Sequence, residues 1–303
     1  MRRPSTFILI IMLAFIMAGF HRSAAASDKI QAFVSIPPQA YFIKKIGGDA
    51  VAVTIMVSAH QSPENFEPLP SQMAALSKAD VYFAIGAPFE EVWLKKFTAS
   101  YPRMRLVHTD DGIIKKPIQR EGAYPPEMND SFSQGHHHDG LDPHVWLSPP
   151  LVMIQARHIR DALISIDPSR APEYNANFNR FMTELTLLDE KIKTIFAATA
   201  GKKKFLVFHP SWGYFADAYG LTQLAIEMEG KEPKAKEVAG LIAYAARNNI
   251  RTIFVQPQFS AKQAEIIAKE LGGRIESIDP LAPDWNDNLL RTAAAINSSF
   301  SGK

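Results

Sequence analysis

The chain has 303 residues, 47% of them hydrophobic, with 33 Lys and Arg against 31 Asp and Glu and no cysteine. This length suits two domains of about 100–200 residues each. The absence of cysteine excludes disulfides and a lipid-attachment cysteine, and nothing in the near-balanced charge argues for nucleic acid, which would want a concentrated basic face.

Residues 1–26 read as a secretory signal peptide. Arg2 and Arg3 form a basic start, an apolar run extends from Phe7 to Phe20, and Ala24, Ala25 and Ala26 make a small-residue cleavage site. The apolar run is shorter than the roughly 20 residues of a spanning helix. Removing the leader takes away Arg2, Arg3 and Arg22, leaving 30 basic against 31 acidic residues and a net charge of −1. The expected location is the periplasm.

From Ser27 onward, strands and helices alternate. Strands are predicted at 32–36, 51–57, 81–85 and 104–107, with helices from Pro37 to the Gly47-Gly48 stop and near 71–78 and 89–100. Alternation of this kind implies a parallel sheet covered by helices. Between 115 and 143 regularity stops, and prolines, glycines and the triplet His136, His137, His138 make a His-rich loop. The loop closes on Asp142-Pro143-His144-Val145-Trp146-Leu147, where a proline on the N-terminal side stiffens the backbone presenting the imidazole. Ser148 and Pro149 then open a helix, with Ser148 expected as its cap.

A long helix is predicted over 171–197, where Phe178, Phe181, Met182, Leu185, Leu188, Ile192 and Phe196 keep helical spacing. The second half repeats the alternation, with strands at 205–208, 223–226, 252–255 and 274–278 and helices near 212–219, 235–248, 261–271 and 287–298. The expected fold is α/β: two open α/β sandwich lobes, 27–168 and 201–303, joined by a long rigid helix within 169–200, with a cleft between them.

Ligands of open α/β sheets bind beyond the carboxyl ends of the strands. Glu64, His144, His209 and Asp279 fall at such positions, two from each lobe, and each adjoins a proline. Singly, each could be an ordinary turn or helix-start residue; together they suggest a pre-organised metal site. No His-Glu-x-x-His helix, Gly-x-Ser-x-Gly elbow or phosphate loop is present.

Six segments carry a resemblance: Ser62-Pro63-Glu64-Asn65-Phe66-Glu67-Pro68, the stretch Asp142 to Leu147, Phe208-His209-Pro210-Ser211-Trp212-Gly213-Tyr214-Phe215, Glu229-Gly230-Lys231-Glu232-Pro233, Gln256-Pro257-Gln258-Phe259-Ser260 and Asp279-Pro280-Leu281-Ala282. In order and spacing, the chain resembles the zinc- and manganese-type solute-binding proteins of ABC importers. The resemblance implies a periplasmic receptor, expected to be monomeric, that captures a divalent metal and delivers it to a membrane permease and its ATPase. It also implies a site of Glu64, His144, His209 and Asp279. Glu64 departs from the zinc-type pattern, which has histidine there; His60 and the triplet His136, His137 and His138 are weaker auxiliary candidates. Zinc is the expected metal, with manganese or iron as the alternative. A metallohydrolase and a metal-dependent adhesin are rival classes. The expected discriminator is coordination: four protein ligands closing the site favour the receptor, whereas a catalytic zinc keeps a position open to water.

Overall fold

A computed structural model describes residues 29–118, 141–199, 203–227 and 235–301. The expected leader, the histidine triplet and the segment Glu229 to Pro233 lie outside the described residues. No helix among the described residues is long and apolar enough to cross a membrane.

The first lobe holds β1 (Ile30–Val34), α1 (Pro37–Gly47), β2 (Val51–Ile55), α2 (Pro70–Leu76), β3 (Val81–Ala84), α3 (Pro88–Ser100) and β4 (Arg105–His108). Its sheet is wholly parallel in the order β2-β1-β3-β4. The first strand ends two residues earlier than its apolar run suggests, because the Gln39 side-chain oxygen accepts from the backbone N–H groups of Ser35 (3.0 Å) and Ile36 (3.3 Å). Those bonds turn the chain directly into α1, whose first residue is Pro37.

Next come α4 (Pro149–Ile166) and α5 (Ala171–Ala197), which pack against each other. Ser148 occupies the N-cap of α4 as expected, but its side chain makes no capping hydrogen bond. At about 1.5 Å per residue the 27 residues of α5 span roughly 40 Å. Phe178, Phe181, Leu185, Leu188, Ile192 and Phe196 are buried along one stripe, with Met182 half-buried at its margin.

The second lobe repeats the first: β5 (Lys204–Val207), α6 (Gly213–Ala218), β6 (Thr222–Ala225), α7 (Ala235–Arg247), β7 (Thr252–Val255), α8 (Lys262–Glu270), β8 (Arg274–Ser277) and α9 (Trp285–Ser299). Its parallel order is β6-β5-β7-β8. Successive residues of β5 face opposite sides, so Phe205 and Val207 join the core shared with α5 and the first lobe. Leu206 and the following Phe208 join a separate core under α7 and α8.

The lobes are fastened by buried aromatics. Trp146 Nε1 donates to Pro280 O (2.7 Å), Trp285 Nε1 donates to Trp146 O (2.8 Å), and Trp285 meets Phe42 edge to face at 4.9 Å. In each sheet the strand order reverses at the first strand, β1 or β5, which is where ligands of such folds sit.

Candidate metal centre

His209 stands just past the end of β5, at the switch point of the second sheet. Its backbone is clamped by the Gln256 side chain, whose oxygen accepts from His209 N (3.1 Å) and whose nitrogen donates to His209 O (2.8 Å). Phe259 stacks on the imidazole at 4.6 Å and 21°. Both ring nitrogens are engaged: Nε2 lies 2.9 Å from Glu64 Oε1, and Nδ1 lies 3.2 Å from Glu227 Oε2.

Glu64 is delivered by the loop after β2. That loop is pinned by buried Phe66, which packs edge to face on Phe89 at 5.3 Å, and by Phe89 N donating to Pro63 O (3.4 Å). His144 precedes a single 3-10 turn, Val145–Leu147, that is itself wholly buried. Asp142 Oδ1 accepts from the His144 backbone N–H (2.9 Å) and lies 2.7 Å from His144 Nδ1. With its proton on Nδ1, the ring keeps Nε2 as its basic nitrogen. Asp142 is positioned in turn by Lys116 O, which accepts from its N–H (2.7 Å), and by Tyr214 OH, which donates to its carbonyl (3.0 Å).

Burial disfavours a charged His209, yet the carboxylates of Glu227 and Glu64 on either side outweigh it and carry its pKa up to about 9. Burial likewise raises the Glu64 carboxyl, but its bond to His209 and the nearby imidazoles of His209 and His144 hold it below the ordinary value. A histidine nitrogen binds a metal only in its neutral form, so binding at His209 Nε2 competes with protonation of that ring.

Glu64, His144 and His209 each offer one donor atom within 4.8 Å of the others. They line a cavity of about 20 Å³, room for one ion or water-sized guest, whose wall includes Pro63, Pro143 and Pro280. Two imidazole nitrogens and a carboxylate oxygen are a donor set that zinc accepts, with a fourth position remaining.

Asp279 does not join this group. Its Oδ1 accepts instead from Gln258 Nε2 (2.8 Å) and from Leu281 N (2.9 Å). His60 is exposed and also stands apart from it, while His158 bonds Asp111 O (2.9 Å). The expectation of four converging ligands therefore meets three among the described residues, which is also the count a catalytic zinc would keep.

Glu227, buried against His209, went unread in the sequence although it follows its strand much as His209 follows β5. That placement was the available signal.

A family profile described as "ZnuA: Zinc-uptake complex component A periplasmic" matches residues 33–297. The high-affinity zinc uptake system protein ZnuA of Bacillus subtilis is 29% identical over 257 residues, covering 84% of this chain and 79% of its own. The zinc-binding lipoprotein AdcA of Streptococcus pneumoniae is 28% identical over 90% of this chain, which spans only 54% of that longer protein. A crystal structure of ZnuA is 41% identical with a TM-score of 0.81, covering 89% of this chain and 99% of that one. A zinc-bound ZnuA deletion mutant is 40% identical with a TM-score of 0.82, covering 91% and 100%. Similarity to a laminin-binding adhesin of Streptococcus agalactiae, at 22% identity, 89% and 97% coverage and a TM-score of 0.73, concerns the fold alone.

Proposed function

This chain belongs to the periplasmic zinc-uptake complex component A family, and we propose from that premise that Glu64, His144 and His209 hold the zinc ion it captures. The family consists of binding components of ABC importers and not of enzymes, so the ion is cargo to be passed to a permease with its ATPase. The observation that carries the site assignment is the convergence of two buried imidazoles, at 6% and 5% exposure, with a carboxylate whose oxygen reaches one of them at 2.9 Å.

The two-nitrogen, one-oxygen set supports zinc over manganese, which prefers more oxygens and a higher coordination number. Two first-lobe segments, bearing Glu64 and His144, and one second-lobe segment, bearing His209, meet at the ion. The working form is a monomer exported by the leader at 1–26. Competition titration against a chelating dye tests the assignment: one tight zinc per chain is expected, lost in His209→Ala. Undiminished affinity in that variant would remove the site from this position.

A further inference from the structure

Three residues of the segment Gln256-Pro257-Gln258-Phe259 act around the metal centre, but only two of them touch His209. Gln256 clamps its backbone and Phe259 stacks on its ring. Gln258 instead spends both amide hydrogens elsewhere, donating to Ala59 O in the first lobe (2.6 Å) and to Asp279 Oδ1 in the second (2.8 Å). The amide orientation follows from chemistry: the reverse flip would set its oxygen against two other oxygens. Gln258, Pro280 and Leu281 all line the ion cavity, so the Asp279 carboxylate stands beside that wall yet outside the ligand group.

We propose that Gln258 determines metal specificity by holding the Asp279 carboxylate away from the ion, which keeps the donor set at two nitrogens and one carboxylate. The inference rests on the site assigned above and adds to it the long-range bond that, with the Leu281 N–H on the same oxygen (2.9 Å), keeps a second available carboxylate from taking part. Its second leg, on the backbone of the opposite lobe, anchors the amide so that Asp279 cannot carry it along. Were Asp279 released, it would bring one or two further oxygens, the change that favours manganese, an ion suited to carboxylate and water ligands at high coordination number.

The test compares zinc and manganese affinities, by competition with a chelating dye, in the wild-type protein, in Gln258→Ala and in Gln258→Met, which keeps the side-chain bulk. The same substitutions are then combined with Asp279→Ala. Manganese affinity relative to zinc is expected to rise about ten- to hundredfold in both single variants, the scale on which outer ligand partners act. The rise is expected to vanish in the combined variants, because it depends on the freed carboxylate. An unchanged ratio in both Gln258 variants, or a rise that persists without Asp279, overturns the proposal while leaving the zinc site intact. Failure of the wild-type protein to bind zinc tightly would overturn both.

Discussion

Asp142 Oδ1 bonds both the backbone N–H and the ring Nδ1 of His144, at 2.9 and 2.7 Å, so a single carboxylate sets both the placement and the tautomer of that imidazole. Partners of this kind orient a ligand and raise its basicity. Asp142→Ala is expected to weaken zinc binding about ten- to hundredfold with little change in far-UV circular dichroism. Gly213→Ala should act in the same direction, since a Cβ there would come within 2.9 Å of Asp142 Oδ2. Dye competition checks both, and wild-type affinity in Asp142→Ala would show that His144 needs no such support.

Removal of a donor is expected to cost more than removal of its support. His144→Ala and His209→Ala should each lower zinc affinity by orders of magnitude while the metal-free fold persists. Asp279→Ala should cost far less than either, because its carboxylate is bound to Gln258 and Leu281. Glu64→His exchanges an oxygen donor for a nitrogen and is expected to retain or strengthen zinc binding and to weaken manganese binding. Isothermal titration with each ion distinguishes these outcomes, and an Asp279→Ala loss as large as that of His209→Ala would place the carboxylate among the ligands.

The elements were legible because their signals are local. Pro149 and the apolar stripe from Phe178 to Phe196 mark helix starts and faces wherever the rest of the chain lies. Strand ends were less so: the expected 205–208 strand is displaced by one residue because the ladder pairs Lys204 with Thr222, a long-range match. The same divide runs through the site. His144 and His209 announce themselves by their rigid proline neighbours, and Glu64 by its loop. The Asp279 side chain is held partly by a local bond from Leu281 N and partly by Gln258, 21 residues away, which also donates to Ala59 O, 199 residues from it. The second, long-range part has no local sequence pattern.

Trp285 joins core packing to the metal centre. Its ring is 1% exposed and sits edge to face with Phe42, and its Nε1 holds the carbonyl of Trp146, two residues from His144. Trp285→Ala is expected to destabilise the metal-free protein by about 3–5 kcal/mol through the cavity it leaves. Trp285→Phe keeps most of the packing but leaves the Trp146 carbonyl without its donor, at about 1–3 kcal/mol. Urea unfolding followed by circular dichroism measures both, and a loss below 1 kcal/mol in Trp285→Ala would show that the site relaxes to fill the space.

Glu90 provides a pH signature that the metal centre does not share. It is 2% exposed at the start of α3, accepting from Gly86 N (2.8 Å), Ile85 N (3.1 Å) and the Ser35 hydroxyl, which also bonds Tyr82 OH at 2.8 Å. Burial pushes its carboxyl up from 4.5 to about 7, against the opposing pull of those donors. The folded state therefore holds the proton more tightly than the unfolded state. Its stabilising effect is fully present below about pH 4.5, declines as pH rises toward 7 and is absent above that. The span corresponds to a loss on the order of 3 kcal/mol as an upper bound. Glu90→Gln removes the titration, so the stability of the wild type relative to this variant should fall between pH 4.5 and 8 by up to that amount. Denaturant melts of both proteins across this range provide the check, and parallel stability curves would show that folding leaves the proton affinity of Glu90 unchanged.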